Sequence, residues 1–494
     1  MLRKHGPNSI FRKRAELKYK NSLSIFAFQI LTIASQLVYG AISSRLVSAL
    51  DFGLYASSLA IIAIVNLVFS SAFTEDVIRN SRLEGFGLRR LVSKALIFGS
   101  TSFAVVFAAG VLLHIFSGLS LLSLFVAGLI AMVSPLQNIL VGIYSRDNLF
   151  FSSSLLGFVS SVLGFLTAGV LVIFSPTATS LLVSPLIASL GFVLVGGSKF
   201  RKHLFPLEIP RKVEFSLSGF SSKLFIYRAV WFLNSNLSRW VLILAGAQKE
   251  LGHLNRAEVL SSVPIFQLQS SINKPFYPKY ADISLKSGES KSESLNFTKS
   301  IGAVTILLWP SLIISSMIVQ QLTLILFGPN WVLAASITPI LFIAGGLQIP
   351  VVLMSTAVET NLLFRKTYLA ESVILGLQIA FFILAWGKLD LLSVAIEMAL
   401  VMSLRFVFYL WILSGQQLLG IYPIARSMIL ALVICALVAA SLFFSKLLLV
   451  SLCNFDDSLS TLLAGALVAV AWLFFILFTR KGKITTTRFV WLIS

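Results

Sequence analysis

The residues of this chain that could do chemistry are arginines placed inside or beside long apolar runs. Arg239 and Arg256 flank a polar turn between two such runs. An arginine at the centre of a bilayer costs roughly 2.5–3.5 kcal/mol on insertion scales, so it is retained where it pairs, snorkels or lines an aqueous path. Because a guanidinium group donates to two oxygens at once, both arginines are candidate contacts for an anion such as a phosphate. A structural ion pair is the alternative role for Arg256.

Amide side chains are the second polar feature of these runs. Gln29 and Gln36 lie on one polar stripe of the first run, because residues three or four apart share a helix face. Asn234 lies on a similar stripe of a later run. An unsatisfied amide in hydrocarbon costs several kcal/mol, so each stripe is expected to face a neighbouring helix or a wet cavity.

Three ionisable residues, Glu371, Glu397 and Arg405, lie in later apolar runs. A buried structural ion pair among them is the favoured interpretation, and proton or sodium coupling through a carboxylate is the alternative. The sequence has no phosphate-binding glycine loop with lysine, no HExxH pair and no GxSxG elbow. We therefore expect a protein that is not an enzyme and that needs neither a cofactor nor a metal.

The composition indicates that membrane-spanning helices position these residues. Of 494 residues, 57% are hydrophobic and only 12% are charged, and the mean hydropathy is +0.93. The net charge of +20 does not indicate a nucleic-acid partner here, because the basic residues lie in short segments between apolar runs. About 20 apolar residues span a bilayer, and the sequence offers about fourteen such runs. The predicted fold is an all-α polytopic membrane protein of about 14 transmembrane helices. The runs lie near 22–43, 53–72, 95–116, 120–142, 152–174, 180–197, 224–245, 254–273, 300–320, 336–357, 368–386, 391–413, 427–447 and 459–478.

The basic segments divide the chain and orient it. Most lysines and arginines fall on one side if both termini are cytoplasmic, as the positive-inside rule requires. The predicted organisation is a basic N-terminus (1–21), six helices (22–197), a cytoplasmic linker (198–223), six helices (224–413), two further helices (414–479) and a basic tail (480–494).

One short pattern occurs twice. Residues 43–60 read SSRLVSALDFGLYASSLA, and residues 237–260 read LSRWVLILAGAQKELGHLNRAEVL, so Gly53 corresponds to Gly252. Because the copies lie six helices apart, they predict a parallel repeat with the same orientation in the membrane. The alternative is that unrelated helix hairpins simply share a need for a glycine and a cap at the turn.

These two stretches, together with LILFGPNWVLAA at 324–335, resemble the polysaccharide transport proteins of bacteria. That family comprises the O-antigen and capsule repeat-unit flippases of the multidrug, oligosaccharidyl-lipid and polysaccharide exporter superfamily. Asp51, Gly53 and Tyr55, within the stretch DFGLY, match the first motif. The second is matched by Gly252 and Arg256, although His253 and Leu254 replace its leucine and tyrosine. The third is matched by Phe327, Gly328 and Trp331.

The resemblance implies two six-helix bundles plus two C-terminal helices, a cationic central cavity and alternating access. It implies an oligosaccharide on polyprenyl pyrophosphate as substrate, in the bacterial inner membrane, with polysaccharide polymerase and chain-length machinery as partners. Arg45, Arg239 and Arg256 become candidate anion contacts, and Gln29, Gln36 and Asn234 candidate sugar contacts. For the first motif we expect architectural roles: Asp51 caps the second helix, Gly53 permits close helix approach, and Tyr55 lies at the membrane interface.

Three other functions stay open on the sequence. A drug exporter of the same superfamily is disfavoured because the first-half helices lack buried carboxylates. A polysaccharide polymerase or ligase is disfavoured because the predicted outer loops are short. Export of a peptidoglycan precursor is not separable from export of a surface-glycan unit.

Overall fold

A computed structural model describes residues 7–70, 73–74, 77, 86–147, 149–200, 219–263, 265, 290–361, 363–416, 418–453 and 456–479. Within these residues the chain forms long α-helices and one turn of 3-10 helix at Pro329–Trp331, and no β-strand. The helices are α1 (Pro7–Leu46), α2 (Ala49–Phe69), α3 (Phe86–Ser117), α4 (Leu121–Arg146), α5 (Phe150–Phe174), α6 (Ala178–Lys199), α7 (Gly219–Leu244), α8 (248–263), α9 (Ser290–Phe327), α10 (Val332–Thr360), α11 (Phe364–Leu384), α12 (Leu391–Ser414), α13 (Ile421–Cys453) and α14 (Asp457–Thr479).

The predicted all-α membrane fold is confirmed. Twelve of the described helices are long and apolar enough to cross a membrane. The two other helices are α7, which carries Arg228 and Arg239, and α8, which is followed by residues outside the described part. Helix α8 begins at 248, six residues before the predicted start near 254. Its first turns are polar in sequence, yet Gln248 and His253 are buried by packing, which hydropathy alone does not reveal.

The chain divides into two compact units. Unit N comprises 24–225 and 236–255, and unit C comprises 226–235 and 256–494 together with 1–23. The division passes through α7 and α8, whereas the predicted domain boundary lay in the linker at 198–223. Part of α7 and the first turns of α8 therefore pack as members of unit N.

Each unit repeats the internal packing of the other. In unit N, α3 packs on α4, α4 on α5 and α6, and α5 on α6. In unit C the same pairs recur six helices later: α9 on α10, α10 on α11 and α12, and α11 on α12. The predicted pseudo-symmetry is therefore supported by the packing of four helices in each unit, α3–α6 and α9–α12. The additional helices α13 and α14 pack on each other and on α9.

Close helix approach depends on small residues in both units. Lipid tails are as apolar as leucine, so helices in a bilayer associate through tight packing more than through the hydrophobic effect. A Cβ atom added to Gly164 on α5 would overlap the carbonyl oxygen of Ser184 on α6, and one added to Gly99 on α3 would overlap that of Met132 on α4. These glycines let the backbones touch.

Candidate functional site

The turn between α1 and α2 is closed by a side-chain N-cap. The Ser48 hydroxyl accepts a hydrogen bond from the Asp51 amide at 3.1 Å and donates to the Asp51 carboxylate at 2.6 Å. Ser48, and not Asp51 as expected from the sequence, is therefore the N-cap residue of α2, and the Asp51 carboxylate accepts from the capping hydroxyl. The negative charge of Asp51 also lies in the first turn, where the helix dipole favours it.

Two further even-numbered helices of unit N begin in the same way. Ser120 caps α4 by accepting from the Ser123 amide at 3.1 Å, and Thr177 caps α6 by accepting from the Ser180 amide at 3.5 Å. In an up-and-down bundle, the turns that precede even-numbered helices all lie at the same end. We call this end, which carries the α1–α2 and α7–α8 turns, the motif end.

The first two motifs meet in a reciprocal contact within unit N. A Cβ atom added to Gly53 would overlap the carbonyl oxygen of Gln248, and one added to Gly252 would overlap that of Ala49. Ala49 precedes Gly53 by four residues, and Gln248 precedes Gly252 by four residues. The two glycines that correspond in sequence therefore also play equivalent parts in the contact. At this contact α2 and α8 cross with their backbones touching.

A buried hydrogen bond reinforces this crossing. The Ser57 hydroxyl, one turn after Gly53, donates to Gln248 Oε1 at 2.7 Å. Ser57 is fully buried and Gln248 is 5% exposed, so the bond is shielded from water. The Gln248 Nε2 atom is buried with no hydrogen-bond partner among the described residues.

The second and third motifs meet within unit C. One turn after Gly252, Arg256 is 5% exposed, and its guanidinium lies 5.8 Å from the centre of the Phe327 ring. Phe327 and Trp331 are each 1% exposed, with ring centres 6.5 Å apart in an edge-to-face arrangement. Between them Gly328 has φ of 97°, which a residue with a side chain rarely adopts. Helix α8 therefore links all three motifs.

A second polar cluster, which we call the carboxylate cluster, lies inside unit C. Arg405 on α12 donates to both carboxylate oxygens of Glu371 on α11, through Nε at 2.8 Å and Nη2 at 3.0 Å. Both side chains are fully buried. The Tyr409 hydroxyl donates to Glu371 Oε1 at 2.9 Å and lies 3.0 Å from the Tyr227 hydroxyl. The predicted buried ion pair is confirmed for Glu371 and Arg405.

Amides connect the remaining members of the carboxylate cluster. Asn234 Nδ2 donates to the Glu371 carbonyl oxygen at 2.8 Å and to Glu371 Oε2 at 2.6 Å. Gln378 Nε2 donates to the Asn234 carbonyl oxygen at 3.0 Å and to Glu397 Oε1 at 2.5 Å. Because these contacts use the NH₂ groups, Asn234 Oδ1 and Gln378 Oε1 are buried and have no hydrogen-bond partner in the described part of the chain. No group of three or more metal-binding side chains occurs among the described residues.

The structure places the three candidate arginines differently. Arg45 lies exposed in the last turn of α1. Arg239 is half-buried in α7 and donates to Asn236 Oδ1 in a short hydrogen bond. Arg256 is buried against Phe327. Arg45 and Arg239 lie in unit N and Arg256 in unit C, so the three are not gathered within one unit.

The candidate amides also divide. Gln29 and Gln36 are half-buried along α1 in unit N. Asn234 is 2% exposed and belongs to the carboxylate cluster of unit C. Tyr55 is half-buried and packs against the unit N core that includes Ile61.

Sequence reasoning missed Tyr227, Gln378 and Tyr409 in the carboxylate cluster and Ser57 and Gln248 at the crossing. A signal was available for the first three: Tyr227 and Asn234 are seven residues apart, as are Glu371 and Gln378, and Arg405 and Tyr409 are four apart. These spacings put each pair on one helix face. They do not reveal which helices are neighbours.

Solved structures share this fold. The chain matches "Lipid II flippase MurJ, inward closed conformation" with a TM-score of 0.59 and 12% identity, covering 93% of this chain and 99% of that one. It matches an inward-facing multidrug resistance MATE transporter of the MOP superfamily with a TM-score of 0.54 and 15% identity, covering 80% and 98%. A MOP superfamily transporter from Pyrococcus furiosus matches with a TM-score of 0.53 and 16% identity, covering 81% and 96%.

Sequence comparison adds the family. No curated protein matches the chain. The model of the family described as polysaccharide biosynthesis protein matches residues 42–336, which is more than half of the chain and contains all three motifs. The chain therefore shares its fold with these membrane transporters, and it belongs to the polysaccharide biosynthesis protein family.

Proposed function

We propose that this protein is a flippase that moves an oligosaccharide linked to polyprenyl pyrophosphate across the bacterial inner membrane by alternating access. The observation that carries the proposal is the family match over residues 42–336, on a fold shared with a protein named as a lipid II flippase. O-antigen, capsule or exopolysaccharide repeat units are the proposed substrates. Polysaccharide polymerase and chain-length machinery are the proposed partners.

The proposed orientation has both termini in the cytoplasm and the motif end outside. The basic stretches 1–21, 198–223 and 480–494 support this orientation through the positive-inside rule. A substrate pyrophosphate carries its charge across while its lipid tail stays in the bilayer, so the protein needs cations and hydroxyl partners only for the head group.

The proposed substrate contacts differ in how much of each side chain is exposed. Arg45 and Arg239 are the leading anion contacts because both have exposed surface, whereas Arg256 reaches a substrate only if it leaves the Phe327 ring. Gln29 and Gln36 are the leading sugar contacts on the same ground. Asn234 offers a sugar only its Oδ1 atom, because its NH₂ group is bound to Glu371.

Deletion of the gene in its host tests the proposed function. We expect surface polysaccharide to be lost and finished single repeat units to accumulate on polyprenyl pyrophosphate in the cytoplasmic leaflet, where mass spectrometry identifies the sugar. Single units accumulating in the outer leaflet without polymer would instead assign a polymerase. A drug exporter would leave both glycan pools unchanged.

Arginine replacements test the proposed contacts in the complemented strain. R239A and R45A are expected to lower surface polysaccharide about tenfold or more at normal protein level, because a charge-assisted hydrogen bond contributes about 1.5–3 kcal/mol. R146A is the matched control, since Arg146 also ends a helix but pairs with Asp147 at 3.1 Å, away from the motif end. Unchanged polysaccharide with R239A and R45A would remove these residues from the site and leave the flippase proposal in place.

A further inference from the structure

The Glu371 carboxylate is saturated with hydrogen-bond donors. Oε1 accepts from Arg405 Nε at 2.8 Å and from the Tyr409 hydroxyl at 2.9 Å. Oε2 accepts from Arg405 Nη2 at 3.0 Å and from Asn234 Nδ2 at 2.6 Å. Each oxygen has two lone pairs, so these four donors leave no acceptor position for a proton or a metal ion.

Arg405 is equally fixed. It is fully buried, its guanidinium lies 5.3 Å from the centre of the Trp231 ring, and Nη1 lies 3.5 Å from the Ser235 hydroxyl. The planar fork matches the two carboxylate oxygens side by side, which a spherical ion does not. The pair is neutral as a unit, and contacts from α7, α11 and α12 hold it in place.

An ionisable residue buried in a membrane bundle marks an ion pathway by default. Here the guanidinium of Arg405, a cation that belongs to the protein chain itself, already occupies the position next to the Glu371 carboxylate. We propose that Arg405 is a built-in counter-cation that makes unit C independent of any dissolved cation at Glu371. Removal of the guanidinium then turns Glu371 into a cation site, with sodium or a proton as the occupant.

The surrounding groups favour this outcome. Without Arg405 the described donors that remain at the Glu371 carboxylate are the neutral groups of Tyr409 and Asn234. A buried uncompensated charge is strongly unfavourable. The unpartnered oxygens of Asn234 and Gln378 are acceptors of the kind that hard cations bind. Among the described residues, Tyr409 contacts Glu371 directly, Tyr227 contacts Tyr409, and Glu397 is linked to the cluster through Gln378. Glu359, which pairs with Arg228, acts electrostatically on Tyr227.

The test measures thermal unfolding of the purified full-length protein in sodium chloride and in choline chloride at equal ionic strength, at pH 7.5 and pH 5.5. The wild-type Tm is expected to be the same in both salts. R405M is expected to unfold about 5 °C or more lower in choline at pH 7.5, and to recover at least half of that loss in sodium or at pH 5.5. Recovery in sodium identifies a metal occupant, and recovery only at pH 5.5 identifies a proton.

Two variants serve as controls. E371Q/R405M removes both charges and is expected to regain stability without responding to sodium or acid. R405K keeps the charge without the fork and is expected to stay sodium-independent with a smaller loss. A wild-type Tm that rises in sodium, or an R405M protein that neither cation rescues and that E371Q does not improve, would overturn the proposal. If R405M does not fold, the wild-type and R405K salt responses still decide it.

Discussion

Gly53 and Gly252 show at the scale of single residues why a glycine can be indispensable within a helix. Neither has a positive φ; each is required because a neighbouring backbone carbonyl occupies the place of its Cβ atom. The obstruction is main chain, which cannot rotate away as a side chain tip would.

G53A and G252A should each destabilise the protein by about 1–3 kcal/mol, the usual cost of overpacking, and both should reduce transport. Thermal unfolding and surface polysaccharide are the readouts. G157A is the matched control, because no atom of the described residues lies within 4 Å of a Cβ atom added to Gly157 on α5. It should be neutral or stabilising, since alanine favours a helix more than glycine does. Equal effects of all three substitutions would rule out the crossing as the cause.

Asp390 is a single residue whose contribution to the stability of the folded protein depends on pH. It caps α12 by accepting from the Ser393 amide at 2.9 Å, and side-chain and backbone hydrogen bonds from Ser393 hold the pKa of Asp390 below its usual 3.8. A lowered folded-state pKa means that this stabilisation is present above the unfolded pKa and is lost as the pH falls through the folded value.

D390A should therefore cost about 1 kcal/mol at pH 7 in unfolding experiments, and the difference from wild type should shrink below about pH 4. D390N retains an oxygen acceptor, so it should keep most of the stability at pH 7 without the acid dependence. A pH-independent difference between D390A and wild type would exclude the carboxylate as the source.

At the scale of elements, α8 is the helix that connects the motifs. One turn carries Gly252, which touches α2, and the next carries Arg256, which lies over Phe327. Substitutions in α8 can thus act through packing or through substrate contact, and the two roles of Arg256 need to be separated experimentally.

A double-mutant cycle on Arg256 and Phe327 separates the packing role of Arg256 from its proposed role in substrate binding. R256A and F327L should share a coupling energy of about 0.5–2 kcal/mol in unfolding, the range of a desolvated cation–π contact. If Arg256 also binds the substrate anion, R256A should lower transport much more than F327L does at equal stability. Equal losses of transport would assign Arg256 a packing role only.

At the scale of the whole molecule, the order of the helices predicts on which side of the membrane each turn lies. With both termini cytoplasmic, the α11–α12 turn is outside and the α10–α11 turn inside. Lys388 and Arg365 lie in or beside these turns and both are exposed. In a C435S/C453S background, an impermeant maleimide added to intact cells should label K388C, and should label R365C only after lysis. The reverse pattern would invert the topology.

Much of the fold was predictable because bilayer thickness dictates apolar runs of nearly fixed length. The Glu371–Arg405 pair was predictable because charges buried in helices need partners. The participation of Asn234 was not, since a polar stripe shows that a face is satisfied but not by which helix. The start of α8 was also missed, because Gln248 and His253 are polar in sequence, and their burial depends on tertiary packing that hydropathy does not show. The predicted substrate contacts remain predictions.

The reciprocal crossing of α2 and α8 makes each motif glycine dependent on the other helix. A Cβ atom added to either glycine would overlap the carbonyl group of the residue four positions before the other glycine, which is the relation that a two-fold axis imposes on identical chains. A larger residue on one side of the crossing therefore displaces the opposite helix, so that a substitution at one motif is felt at the other.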